Sequence, residues 1–218
     1  MAVEVIVAGG LDTATETGET DSIVADFPKS IAPMTEVRST LVTSSLAALR
    51  NRNLFERYDA IQRSAHRDTI LNCVAGEWLS LEVAFAHYRA CDALGLSSSE
   101  QIEIGKDVSK RIHETFLGLV VKAARGMGVT PWLLLAKANT TLSRIARGGG
   151  IRVTRVGPKS ARIELVQVAL LQVPYFRNAL VGVYIAGVEL LGSNVTARVI
   201  SQKAPQPERL TVLRIDWT

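Results

Sequence analysis

The stretch around residues 78–94 carries a histidine and a cysteine that could bind a metal together. His87 and Cys91 are four residues apart, so both side chains point to the same side of a helix. A structural zinc site needs four such ligands, and the other candidates nearby, His66 and Cys73, follow no familiar zinc spacing. We favour a buried cysteine that packs as a small apolar residue beside a histidine on the helix surface, and we assign no metal site.

Catalytic chemistry has less support in the sequence. His113 with Glu114, or with Glu103 and Asp107, could serve as acid and base only where a cleft holds the groups together. On an amphipathic helix such charges more often form a solvated face. The sequence contains no Gly-x-Ser-x-Gly elbow and no glycine-rich phosphate loop. We assign no catalytic residue, and the sequence favours a protein that is not an enzyme without excluding one.

A run of basic residues between positions 144 and 162 contains no acidic residue. Such a run could bind phosphate, nucleic acid or an acidic partner. No aromatic residue alternates with the basic ones, which disfavours a stacking surface for nucleic acid. We therefore expect a solvated or intramolecular role for this basic patch, which consists of Arg144, Arg147, Arg152, Arg155, Lys159 and Arg162.

The charge of the chain is divided unevenly. Residues 1–26 carry six acidic and no basic residues, so they contribute −6, and the whole chain of 218 residues is +4. The remainder is therefore strongly basic, and we expect the acidic segment to lie over the basic patch or over that of a second copy. We divide the chain into an acidic arm and linker, residues 1–34, and one domain, residues 35–218.

Composition excludes several classes of protein. A hydrophobic fraction of 47% over 218 residues is enough for a sizeable core, and two cysteines exclude a disulfide-rich secreted scaffold. The first residues lack the basic region of a signal peptide, and no apolar run approaches the roughly 20 residues that a membrane span needs. We expect a cytoplasmic protein.

The order of the predicted elements defines the fold class. Helices are predicted over 36–52, 54–64, 66–75 and 78–94, then from a Ser97–Glu100 capping box to about 125, and from Thr130-Pro131 to 147. After the glycines at 148–150 come a hairpin (151–156 and 162–169), a buried helix (175–191) and strands at 193–201 and 210–217. This order predicts an α+β fold, with an N-terminal helical layer followed by an antiparallel sheet that holds a buried helix.

Motifs in the second half resemble those of a superfamily of small-molecule sensors. They are Gly128-Val-Thr-Pro-Trp132, the triple glycine before a strand, Gly157-Pro-Lys-Ser-Ala161, Pro174-Tyr-Phe-Arg177 and Ile215-Asp-Trp217. The chain is similar to an uncharacterised bacterial family that is related to the heme nitric-oxide/oxygen-binding domains and the vinyl-reductase-type sensor domains. The Tyr-x-Ser-x-Arg motif that holds heme in that superfamily is absent, so we assign no cofactor.

The resemblance implies a ligand pocket between the helical layer and the sheet. The aromatic residues expected near that pocket are Trp78, Phe85, Tyr88, Phe116, Trp132, Tyr175, Phe176 and Tyr184. For any single one of them we favour ordinary core packing. We expect a non-catalytic domain that binds an apolar small molecule and signals through a protein partner or a homodimer. The alternative is a structural interaction module without ligand, assembled through the acidic arm and the basic body.

Overall fold

The computed structural model describes residues 21–116, 130–202 and 210–218, without side-chain detail at 113–116 and 201–202. Five helices form the first layer, and each begins close to where the apolar periodicity predicts it. They are α1 (Ser39–Asn51), α2 (Phe55–Ile61), α3 (Arg67–Asn72), α4 (Leu81–Asp92) and α5 (Ser98–Phe116). The capping box before α5 is present, since the Ser97 N–H donates to the Glu100 carboxylate over 2.8 Å and the Glu100 N–H donates back to Ser97 Oγ over 3.3 Å.

A small antiparallel sheet replaces the start of two predicted helices. Its strands are β2 (Glu36–Arg38), β3 (Trp78–Ser80) and β4 (Ala146–Arg147), with β2 in the middle. Trp78 therefore belongs to a strand and not to the helix that carries Phe85 and Tyr88. The prediction of one helix over 78–94 is wrong at its start, because the helix α4 begins only at Leu81, where the Ser80 hydroxyl accepts from the Val83 N–H.

The second layer is a five-stranded antiparallel sheet. Its strands are β1 (Ser22–Ala25), β5 (Gly150–Gly157), β6 (Ser160–Val166), β7 (Thr196–Gln202) and β8 (Thr211–Asp216), in the order β1-β5-β6-β8-β7. Two short helices, α6 (Pro131–Ala136) and α7 (Ala138–Ile145), precede it, where the sequence predicts one. A 3-10 turn (Ala169–Gln172) and the predicted long helix α8 (Pro174–Glu189) connect β6 to β7. The predicted α+β architecture is confirmed.

Strand β1 lies in the region that the sequence predicts to be a linker. It pairs antiparallel with β5, Ile23 opposite Thr154, and so adds an edge strand to the sheet. Its four residues are too few for a strand pattern that sequence reading can detect. The division of the chain at residue 34 stays a prediction.

The triple glycine lets two backbone segments pass in direct contact. Gly148 and Gly149 have φ values of +90° and +78°, a region that side chains disfavour. A Cβ at Gly148 would overlap the carbonyl of Pro33, and the Gly149 N–H donates to the Ala32 carbonyl over 2.8 Å. This contact ties the segment before β2 to the start of the five-stranded sheet.

Helices α5 and α8 cross at a second pair of glycines. A Cβ built at Gly105 would overlap the backbone of Ala179, and one built at Gly182 would overlap the carbonyl oxygen of Ile102. The two backbones therefore approach more closely than any residue with a side chain would permit. Helix α5 thus covers one face of α8. No helix among the described residues has the length and apolar character needed to cross a bilayer.

The close crossing predicts whether a glycine-to-alanine substitution stabilises or destabilises the protein. In an exposed helix, glycine to alanine stabilises by about 1 kcal/mol. At Gly182 the added methyl group overlaps backbone, so we expect Gly182→Ala to lower the free energy of unfolding by about 1–3 kcal/mol, measured by urea denaturation. Gly157→Ala is the control, because its Cβ would meet only the Ser160 side chain at 3.4 Å. Equal stability of wild type and Gly182→Ala would contradict the close approach.

Candidate ligand-binding cavity

An apolar cavity of about 140 Å³ lies between the helices and the inner face of the five-stranded sheet. Side chains from α6, α7, α8, β5 and β6 surround it, together with residues from the start of the helical layer. Its lining consists of Met34, Val37, Leu41, Leu134, Leu135, Ala138, Thr141, Leu142, Ile145, Ala146, Ile151, Leu165, Val168, Leu170, Phe176, Leu180, Val183, Tyr184 and Gly187. Thr141 and Tyr184 supply the polar side-chain atoms of this lining, so the cavity favours an apolar occupant.

Local sequence explains why these residues face one another. Leu135, Ala138 and Leu142 recur at helical spacing on α6 and α7. Ile151 and Leu165 are paired across β5 and β6, and both are buried on the inner face. Burial raises the pKa of the Tyr184 phenol above its ordinary value, so the group is neutral at physiological pH and adds no charge to the cavity.

Two of the eight predicted pocket aromatics line the cavity, Phe176 and Tyr184. Tyr88 and Tyr175 are buried immediately behind them, with the Tyr88 ring centroid 4.9 Å from that of Phe176. The side chain of Phe116 lies outside the described residues.

The remaining three predicted aromatics lie elsewhere. Trp132 packs edge-on against Trp217, with ring centroids 4.7 Å apart. Trp78 lies between the guanidinium groups of Arg38 and Arg147. Phe85 lines a surface groove beside Arg89. The sequence prediction missed the aliphatic majority of the lining because a leucine beside a cavity has the same sequence signal as a leucine in a packed core.

His87 and Cys91 form a buried polar cluster, so the prediction of a buried Cys91 is confirmed and that of a surface His87 is wrong. His87 Nδ1 is 2.8 Å from the Tyr58 hydroxyl, and His87 Nε2 is 3.7 Å from Cys91 Sγ. Gln62 completes the cluster by donating to the Tyr58 hydroxyl over 3.4 Å and to the Ala86 carbonyl over 3.0 Å. Within the described ranges no three His, Cys, Asp or Glu side chains come together in a way that could hold a metal ion.

Burial keeps the groups of this cluster uncharged. It lowers the pKa of His87 to about 3 and raises the pKa of the Cys91 thiol and of the Tyr58 phenol. A neutral thiol is a poor nucleophile, so the cluster has the properties of a hydrogen-bonded core and not those of a reactive site.

The six residues of the predicted basic patch are distributed over several surfaces. Arg147 pairs with Glu36, Arg152 with Asp26 over 2.8 Å, and Arg162 with Asp21 over 3.7 Å. The guanidinium of Arg155 lies over the Trp132 ring. Arg144 and Lys159 are exposed. Two partners of these arginines, Asp21 and Asp26, come from the acidic segment, while a binding role for the patch stays a prediction.

The cavity and the two layers define a class of fold, and the comparisons identify it. A scan against models of protein families matched none of them, and a search among curated proteins found no match either. Solved structures match with high probability, and they are H-NOX domains. The predicted resemblance to the heme nitric-oxide/oxygen-binding domains is thereby confirmed at the level of fold.

Three solved structures illustrate the similarity. An Fe(II) unliganded H-NOX protein mutant from K. algicida is 13% identical with a TM-score of 0.61, covering 83% of this chain and 96% of that one. An oxygen-binding H-NOX domain related to soluble guanylate cyclases, solved as an oxygen complex, is 13% identical with a TM-score of 0.56, over 83% and 95%. A structure from a study of heme distortion in the H-NOX family is 12% identical with a TM-score of 0.55, over 83% and 95%.

The comparison contradicts the prediction that the chain has no cofactor, because the folds it resembles are heme domains. Met34 and Tyr184 are the described lining residues of a type that binds heme iron elsewhere. The described lining offers no histidine, cysteine, lysine or arginine. The cavity has the volume of a site that holds one benzene ring, which is far too small for a porphyrin. The described side chains as they stand do not fit heme.

The low pKa of His87 predicts how stability depends on pH. Below pH 6.5 the unfolded chain takes up a proton at His87 that the folded chain rejects until about pH 3, so the unfolding free energy falls as pH falls. Between pH 7 and 5 we expect a loss of about 2 kcal/mol from this group, measured by urea denaturation at each pH. His87→Gln removes this loss. The matched control Tyr58→Phe removes the 2.8 Å hydrogen bond but keeps the histidine, so it retains the pH dependence. Equal slopes of unfolding free energy against pH for wild type and His87→Gln would contradict the assignment of this pH dependence to His87.

Proposed function

We propose that this protein binds a small apolar molecule in the cavity between its helices and its sheet and that it acts as a sensing domain. The observation that carries this proposal is the cavity of about 140 Å³ with its apolar lining. An engineered cavity of about 150 Å³ lined by Leu, Ile and Phe stays dry and binds benzene or xenon. The size and chemistry of the cavity therefore favour an occupant of about one aromatic ring.

The fold supports a sensing role over catalysis. Structures of the same fold include an oxygen-binding domain solved in complex with oxygen, which is a small apolar molecule as well. Among the described residues, the lining has one hydroxyl and one phenol as its polar side-chain groups, Thr141 and Tyr184, too few for acid–base chemistry. We infer that occupancy is read by a protein partner or by a second copy of the chain, which native mass spectrometry with and without ligand would test.

Ligand binding is measured directly by thermal unfolding with benzene or toluene. At a ligand concentration ten times Kd, binding adds about 1.4 kcal/mol, which raises Tm by about 3–6 °C in a domain of this size. Ala138→Phe places a ring at a position that lines the cavity and should abolish the rise. Ala136→Phe, at an exposed position two residues earlier, is the matched control and should retain it.

Three outcomes would overturn the proposal. They are the absence of any Tm rise with benzene, toluene and xenon, an equal rise in Ala138→Phe and wild type, and displacement of benzene by hemin. The last outcome would contradict the size assigned to the ligand and would place a porphyrin in the cavity after side-chain movement.

A further inference from the structure

Three arginines lie side by side on the face of the five-stranded sheet that points away from the cavity. Arg162 is directly opposite Arg214, and Arg214 is directly opposite Arg198. Side chains alternate along a strand, and the neighbours of these arginines, Ile163, Leu213 and Ile215, are buried in the core. The arginines therefore project together from the outer face, and we refer to Arg162, Arg214 and Arg198 as the arginine row.

Like charges directly opposite one another destabilise a sheet unless anions compensate them. Arg214 Nε pairs with Asp216 over 3.2 Å, and Arg162 has a longer contact of 3.9 Å with Glu164. Arg162 Nε is buried without a hydrogen-bond acceptor. Arg198, at the sheet edge, is exposed and pairs with no carboxylate in the described part of the chain. The row therefore has unused capacity to bind carboxylates.

The acidic segment already supplies carboxylates to this face. Asp26 accepts from Arg152 over 2.8 Å, and this hydrogen bond lowers the pKa of Asp26. Asp21 contacts Arg162, the first member of the arginine row, over 3.7 Å. In the sheet, Ile23 is opposite Thr154, and Thr154 is opposite Arg162. Asp21 comes two residues before Ile23 and is the first described residue, so the described chain begins at the end of the arginine row.

The chain between Asp21 and the preceding glutamates is long enough to span the row. Neighbouring strands are about 4.8 Å apart, so Arg214 lies about 5 Å and Arg198 about 10 Å beyond Arg162. An extended chain advances about 3.3 Å per residue. Glu19 is therefore about 7 Å along the chain from Asp21, and Glu16 about 17 Å, which is enough to reach Arg214 and Arg198.

From these observations we propose that the arginine row is the docking site of this chain's own acidic residues 4–20, with Glu19 opposite Arg214 and Glu16 opposite Arg198. Residues 1–28 contain no lysine or arginine that would be repelled by the row. The occupant is a carboxylate-bearing polypeptide because the two contacts present, from Asp21 and Asp26, are carboxylate contacts of the same segment. The proposal is independent of the ligand in the cavity.

The test uses the full chain with a spin label at Thr17→Cys in a Cys73→Ser background; Cys91 is fully buried and does not react. We expect the label to remove at least half of the amide NMR intensity around Arg198 and Arg214, and 0.5 M salt to restore it, because surface ion pairs are screened. Arg198→Glu combined with Arg214→Glu should restore the intensity as well, and Arg63→Glu, on the helical layer, should not.

Reversing the charges of both the glutamates and the arginines distinguishes ion pairing from misfolding. Glu16→Arg with Glu19→Arg should undock the segment, and combining that pair with Arg198→Glu and Arg214→Glu should restore docking. Since Arg198 is exposed at the sheet edge, Arg198→Glu alone serves as a second variant should the double variant not fold. Absence of broadening in the labelled chain would overturn the proposal. Broadening in a mixture of labelled and isotope-enriched unlabelled protein would instead assign the row to a second copy and overturn it equally.

Discussion

The close crossing of α5 and α8 is the constraint on which the arrangement of the two layers depends. Gly105 and Gly182 each face backbone of the opposite helix, and neither position has room for a Cβ. Direct backbone contact fixes the separation of two helices more rigidly than interdigitated side chains, which can change rotamer. Because α5 belongs to the helical layer and α8 follows the sheet strand β6, this one contact joins the two layers.

The crossing also determines the shape of the cavity. Leu180, Val183 and Tyr184, on the same turns of α8 as Gly182, line it. The opposite wall comes from Ile151 and Leu165 on the sheet. Helix α8 is held by α5 on one side, and its side chains on the other side form one wall of the cavity. The position of this wall is therefore set by the crossing of the two backbones.

This origin explains which parts of the molecule the sequence could predict. Helix α8, the hairpin of β5 and β6 and the capping box at Ser97 each have a local signal, in periodicity, turn residues or capping pattern, and the structure confirms them. Strands β1 and β3 have four and three residues, too short for a periodic pattern, so the sequence prediction placed Trp78 on a helix. Pairing with strands distant in sequence determines both.

The candidate site was less predictable than the fold for the same reason. Aromatic residues were the best local signal, and Phe176 and Tyr184 are indeed in the lining, but Trp132 and Trp78 are held on the surface by other contacts, with Trp217 and with Arg38 and Arg147. Leucines and valines form most of the wall. Whether such a residue touches another side chain or an empty space depends on the positions of whole helices, which no single residue encodes.

Strands β5 and β6 contribute to two different surfaces because their side chains alternate. Ile151 and Leu165 point to the cavity, while their chain neighbours Arg152 and Glu164 point to the outer face. Asp26 at the end of β1 is bound to Arg152, one residue from the cavity wall. The acidic segment is thus attached to a strand whose other face lines the cavity, although no side chain belongs to both surfaces.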